Sequence, residues 1–179
     1  MKEIEARLME FIKASRPNGF FLNDASFHVS QEFNPSLNNK PIHFEADNSI
    51  IGNFIKFEAD VEGDGKLHFI RFFTDHRIKL FINKDLKNLE TAKDEAQATP
   101  VPVAEAQVII AAEYQLLSNI EDDSIFALFG NHQVMFQAYP YARELLQNSF
   151  ARAGITNITL PYLIPRASSS GELPEEELT

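Results

Sequence analysis

Apolar positions along the chain follow two periods. Ile4, Leu8, Phe11 and Ile12 recur at the spacing of one helical face, with Lys2, Glu3, Arg7, Glu10 and Lys13 opposite. They predict an N-terminal helix within residues 1–16. Ser15-Arg16-Pro17-Asn18-Gly19 ends it, because proline disfavours helical geometry at the preceding residue and glycine tolerates positive φ. From Phe20 the period becomes two. Phe27, Val29 and Phe33 alternate with His28, Ser30 and Glu32, and Asn34-Pro35 turns the chain. Ile42, Phe44 and Ala46 then alternate with His43, Glu45 and Asp47; Ile55, Phe57, Ala59 and Val61 alternate with Lys56, Glu58, Asp60 and Glu62. Gly63-Asp64-Gly65 predicts a tight turn into a strand from Leu67 to Phe73. Ile78, Leu80 and Ile82 carry the alternation beyond Thr74-Asp75-His76-Arg77, through either a second turn or a bulge.

A long strand follows, with Ala106, Val108, Ile110, Ala112, Tyr114 and Leu116 on one face and Glu105, Gln107, Ile109, Ala111, Glu113 and Gln115 on the other. The succession is that of an antiparallel meander. Asp122-Asp123-Ser124 predicts the cap of a short helix over Ile125 to Phe129, closed by Gly130. The clearest helix spans Pro140 to Ala153, with a proline where a first turn accepts one and Gly154 where a C-terminal cap belongs. Two prolines make Leu160-Pro161-Tyr162-Leu163-Ile164-Pro165 extended. Residues 83–103, rich in Lys, Asp, Glu, Ala and Gln, read as a mobile solvated insertion, and 168–179 as an acidic disordered tail. The remainder, 1–167, reads as one domain without internal repeats.

Composition narrows the function classes. Among 179 residues, 16 Lys+Arg stand against 26 Asp+Glu, a net charge of −10, and no basic stripe exists to neutralise a nucleic-acid backbone. The absence of cysteine excludes disulfides, thiolate metal sites and a cysteine nucleophile. Glu3 and Glu5 interrupt the apolar core that a signal peptide needs, and no apolar run suffices to cross a bilayer, so a cytoplasmic protein without membrane insertion is expected. Phenylalanine supplies 16 residues and tryptophan none. Phe adds apolar area without a polar handle, which suits a core and a greasy contact surface alike.

Chemistry-bearing patterns are sparse. There is no H-E-x-x-H, nucleophile elbow or Gly-rich phosphate loop, so no cofactor, metal or catalytic residue is expected. An enzyme would require His43, His68 or His132 to converge in space. Glu45, Asp47, Glu58, Asp60 and Glu62 either keep one side of the sheet wet or form an acidic platform for a basic partner. One sheet with few helices leaves phenylalanines over, to be covered by another subunit or a hydrophobic ligand, and an oligomer is expected as the cheaper of the two.

Tyr139-Pro140-Tyr141-Ala142-Arg143-Glu144-Leu145 resembles the Phe-Pro-Tyr-Ala-Arg-Glu segment of the bacterial export chaperone family SecB, continuing through Arg152, Gly154, Leu160 and Pro161. Asp24-Ala25-Ser26-Phe27 resembles the family's Asp-Ile-Ser-Phe strand, and Ala111-Ala112-Glu113-Tyr114-Gln115 its long strand before the helix. The resemblance implies an α+β fold, a four-stranded or slightly larger antiparallel sheet backed by helices, assembled as a dimer of dimers. It implies no enzyme activity. The implied function is an ATP-independent holdase that binds non-native preproteins and delivers them to the SecA motor.

By the same resemblance Asp24 and Glu113 are the SecA-docking acids; alternation sets Glu113 opposite Ala112 and Tyr114, where it can point to solvent. Phe136, Tyr139, Tyr162, Leu163 and Ile164, apolar and beside the resembling crossover, are the candidates for the client groove. The chain departs from the family at His28, where a second acid is expected, at Ala111, and in having an acidic tail where a second helix should follow Pro165. The N-terminal helix is extra, and its stripe is expected to pack in that helix's place. A chaperone dedicated to one partner such as an antitoxin, and a small hydrophobic-ligand binder with an enclosed Phe-lined cavity, are the alternatives.

Overall fold

The computed structural model describes residues 2–36, 41–52, 54–62, 65–82, 101–118, 123–156 and 158–162. The Gly63-Asp64 step of the predicted turn, the predicted insertion up to residue 100, the tail 168–179, and Leu163 and Ile164 lie outside them.

The N-terminal stripe forms helix α1 (Lys2–Lys13). It packs on α2 (Asp123–Phe129), where the fully buried Phe11 meets Phe126 and Phe129 edge-on, with ring centroids 5.2 and 4.7 Å away. The predicted turn at Ser15–Gly19 is instead the beginning of strand β1 (Ser15–Val29), paired with β5 (Ala104–Leu116) and broken by register shifts at Pro17/Gly19 and Leu22/Asp24. β1 is an edge strand, so Pro17 needs no ladder partner on its free side and is absorbed at a bulge. Asn34 makes the predicted turn, its Oδ1 accepting from the Ser36 amide at 3.0 Å, while Phe33 leaves the strand and enters the core.

The remaining strands are β2 (Ile42–Ile50), β3 (Ile55–Val61) and β4 (Gly65–Ile82). All pairings are antiparallel, in the order β1-β5-β4-β2, and β3 continues the β2 edge by pairing with the first half of β4. The fold is α+β, a five-stranded sheet with helices on one face. β4 runs unbroken through Thr74-Asp75-His76-Arg77, with neither turn nor bulge, because each of these polar side chains finds a partner in the sheet (below). Residue 103, assigned from sequence to the insertion, is tied into the sheet: its amide donates to Leu80 O at 2.8 Å and its carbonyl accepts from Ser30 at 2.9 Å.

Alternation along β5 buries Ala104, Ala106, Val108, Ile110, Ala112, Tyr114 and Leu116 under the helices. Gly130 does not close α2. The chain passes through a π-helical turn (Gly130–Val134) directly into α3 (Met135–Arg152), and Pro140 lies inside that helix, not at its start. The buried positions Val134, Met135, Ala138 and Tyr139 extend the α3 stripe upstream, so packing overrides the local start signal at Pro140. Gly130 is needed for contact instead: a Cβ there would lie 3.1 Å from the Phe72 ring. Gly154 terminates α3 as predicted. At φ +80° it lets the Ile155 amide reach Phe150 O at 2.9 Å and its own amide reach Ala151 O at 3.0 Å, a Schellman closure that seats Ile155 and Phe150 in one core.

Two stability predictions follow from this packing. Phe11→Ala should destabilise by about 3–5 kcal/mol and Gly154→Ala by roughly 1–2 kcal/mol. Met9→Ala, at a side chain left exposed, should cost less than about 0.5 kcal/mol. Urea midpoints check all three, and a Phe11→Ala midpoint equal to wild type would show that α1 is not part of the cooperative unit.

Candidate functional site

The sheet face away from the helices carries Asp24 and Glu113. Glu113 of β5 points to this face, yet only 7% of the residue is exposed. Arg71, its cross-strand partner on β4, donates to it from Nε (3.1 Å) and Nη2 (2.6 Å), and Asn18 donates from Nδ2 at 2.5 Å. The expectation of a solvent-directed Glu113 is therefore corrected: a guanidinium clamps the carboxylate and covers it. Asp24 is exposed beside the second β1 bulge, with its Oδ1 accepting from the Ala25 amide at 2.8 Å. It pairs with Ile109, four residues from Glu113 along β5, which separates the two acids by about 13 Å on adjacent strands.

A second carboxylate, not singled out from sequence, is held the same way. Asp75 accepts from Arg77 (3.0 and 2.7 Å) and from Gln107 (2.9 and 3.0 Å). The predicted acidic platform is divided. Glu45 and Asp47 pair with Lys79 and Arg77 on the open face, whereas β3 places Glu58 and Asp60 on the helix side. The division arises between β2 and β3. Ile50 faces Thr74 and Ile55 faces Arg71, so four residues on the edge span two on β4. A surplus of two keeps the alternation in phase, and the apolar set of β3 turns outward because it holds odd positions where that of β2 holds even ones. Ile55 and Val61 are consequently exposed, and Phe57 stacks on Phe69 at 5.3 Å with Arg71 over its ring at 4.9 Å. The open face thus has a polar end, where Asp24, Glu45, Asp47, Asp75 and Glu105 outnumber Arg77 and Lys79, and an apolar end around Phe21, Ile55 and Phe57.

On the helix side, Phe136 and Tyr162 are exposed, as a groove requires. Tyr139 is not: it is 3% exposed, and its hydroxyl donates to Pro161 O at 2.9 Å. Arg143 donates to Leu160 O at 2.8 Å and lies 4.3 Å from the Tyr162 ring centroid. Tyr139 and Arg143 therefore fasten the extended segment along α3, and burial raises the Tyr139 phenol pKa against the pull of Arg143. Leu163 and Ile164 fall outside the described residues. Leu22, Phe27 and Tyr141 add exposed apolar surface where α3 meets β1; Phe20 stacks on Tyr141 at 4.9 Å and Phe27 meets Phe150 at 5.3 Å. These β1 residues escaped the groove expectation because alternation marks a strand as half-buried without saying that it lies at an edge.

The three histidines on which an enzyme would depend do not converge. His43 stacks on Phe81, His68 sits 3.3 Å from Glu58 near the other end of β4, and His132 is exposed on the π turn. Among the described residues no three His, Asp or Glu side chains gather as metal ligands. The buried histidine is His76, whose Nδ1 is 2.8 Å from Asn48 Oδ1 and Nε2 2.9 Å from Thr74 Oγ1. Among the described residues no helix is long and apolar enough to cross a membrane.

The same fold occurs in the Mycobacterium tuberculosis SecB-like chaperone Rv1957, solved in complex with a ChAD peptide from the Rv1956 HigA1 antitoxin. The TM-score is 0.60 at 12% identity, and the match covers 90% of this chain and 99% of that one. No protein-family model and no curated protein sequence matches the chain. At this identity the likeness shows a SecB-like fold.

His76 supplies a pH prediction. Burial lowers its pKa from 6.5 to about 4, with the Asp75 charge opposing. Its folded pKa lies below the unfolded one, so its contribution is present above pH 6.5 and is lost as pH falls towards 4. The loss amounts to about 3 kcal/mol over that window. Native-state NMR should show the His76 ring untitrated between pH 7.5 and 5.5, while the urea midpoint falls over the same range. A ring titrating near pH 6.5 in the folded protein would contradict this.

Proposed function

We propose that this chain is an ATP-independent holdase that shelters apolar segments of non-native polypeptides. The carrying observation is the apolar surface left open beside a filled core: Leu22, Phe27 and Tyr141 where β1 meets α3, with Phe136 and Tyr162 along the helix. Burial against such side chains gains about 25 cal/mol per Å² without demanding a particular sequence, which suits a binder of many clients. The SecB-like fold supports this reading, because the similar protein is a chaperone seen with a peptide. In this reading the protein acts in the cytoplasm as a dimer of dimers, with neither cofactor nor catalysis. The 15-residue strand β1, at the edge of the sheet and without an outer partner among the described residues, is flanked by exposed Phe21 and Leu22 and is a surface on which two copies can join.

Delivery to a SecA-type motor would use Asp24 and Glu113 on the open sheet face. A second reading, a chaperone dedicated to one partner such as an antitoxin, is favoured by the Arg71 and Asn18 clamp on Glu113, which leaves the docking acid neutralised. The similar structure's antitoxin peptide agrees with it.

Dilution of a chemically unfolded protein, followed by light scattering, tests the holdase. Wild type should suppress aggregation near one client per tetramer, and Phe136→Ser/Tyr162→Ser, altered only at exposed positions, should need several-fold more protein. No suppression by the folded wild type would remove the general holdase reading. Glu113→Ala should weaken SecA binding at least five-fold under delivery and leave it unchanged under the dedicated reading.

A further inference from the structure

Where β2 gives way to β3 the edge carries two residues more than the strand it follows, and a cavity of about 220 Å³ opens there on the helix side. Ile50, Phe54, Phe72, Phe126, Gly130 and Asn131 line it. Phe54 stands tilted to Phe126 (4.9 Å, 59°) and to Phe72 (6.0 Å, 55°), so the rings do not stack shut against one another. Gly130 contributes no side chain, and a Cβ there would crowd the Phe72 ring at 3.1 Å.

We infer that this cavity is a socket for one aromatic side chain of a bound polypeptide, an assignment that rests on the polypeptide-binding reading above. Size selects the ligand group: an apolar cavity of about 150 Å³ accepts benzene, so this one accommodates a phenyl or indole ring. Ring chemistry selects it further, since tilted phenylalanines offer an entering ring edge-to-face contacts worth about 0.5–1.5 kcal/mol beyond burial. Lys56 Nζ, its charge shared with Asp123 at 2.8 Å, lies 4.4 and 5.4 Å from the ring centroids of the lining Phe126 and Phe54, so a cation already polarises these two rings. The exposed Asn131 brings an amide that can both donate to and accept from a peptide group. The cavity opens to solvent, and Gly52, Ala127 and Asn131 of its lining are exposed, so a ring can enter while its main chain stays outside.

The chain contains no tryptophan, so indole fluorescence belongs entirely to an added probe. N-acetyl-tryptophanamide, and a ten-residue peptide with a single central Trp, should each give a saturable blue shift with the full-length protein. Ala127 lines the cavity from the exposed side of α2, and Ala127→Leu should fill it, weakening both by at least ten-fold without changing the melting curve. Ile50→Val, which leaves the mouth open, should retain binding and controls for a general disturbance. No saturable shift, or equal shifts with Ala127→Leu, would overturn the socket and leave the holdase to its own aggregation assay. Binding of the amide but not of the peptide would overturn the polypeptide assignment. Probe binding lost with Ala127→Leu, alongside a wild type that suppresses no aggregation, would uphold the aromatic site and remove the holdase reading.

Discussion

Everything in this molecule is arranged around covering one face of an antiparallel sheet with a single continuous helical run. Every inward position of β5 is buried, and the small ones (Ala104, Ala106 and Ala112) face a helix whose own inward residues include Ala138 and Ala142. Small side chains on both sides bring helix and sheet close, and dispersion then accumulates over many atom pairs. The demand for continuous contact explains why the helix passes through Gly130 in a π turn and ignores the start signal at Pro140. A π turn shifts the helical phase by one residue, which lets Val134 and Met135 join the stripe set by Ala138, Ala142 and Leu146.

Covering one face leaves the other bare, and the chain manages that face with charge. Arg71 and Arg77 each hold a nearly buried carboxylate against the sheet, so polar groups there are satisfied instead of simply solvated. A face built in this way has low net availability of its acids, which distinguishes it from a loose acidic surface. At the β3 end the balance reverses, and aromatic stacking takes over from ion pairing. Among the described residues the open sheet face, the β1 edge and the apolar strip along α3 stay uncovered, and the last two adjoin at Phe27 and Tyr141.

A chaperone reading also accounts for what the helical side keeps. Phe11, Phe126, Phe129, Phe72 and Tyr114 form an edge-to-face cluster that closes one end of the core, while Tyr139 and Arg143 strap the extended segment at the other. In that reading, rigid ends with apolar surface between them would give a client a preformed place to bind, so less conformational entropy would be lost on capture.

The sequence by itself determined the elements: the amphipathic N-terminal helix, the alternating strands, the Gly154 terminus and the order of motifs that resembles SecB. These are local properties, since periodicity, proline and positive φ act within a few residues. It left open whether Thr74-Asp75-His76-Arg77 was a turn, because polar residues mark a turn unless distant partners satisfy them. Asn48, Gln107 and the Ile110 carbonyl do so here from other strands. The strand character of β3 is legible in the sequence, and so is its facing, since its apolar residues hold odd positions where those of β2 hold even ones and a surplus of two residues keeps the alternation in phase. The surplus itself appears only when both strands pair with β4. Glu113 lies on the strand face that alternation predicts, but its burial is decided by tertiary pairing, which brings Arg71 and Asn18 to it from other strands. Exposure, clamping and cavities arise where elements meet, and no single segment encodes them.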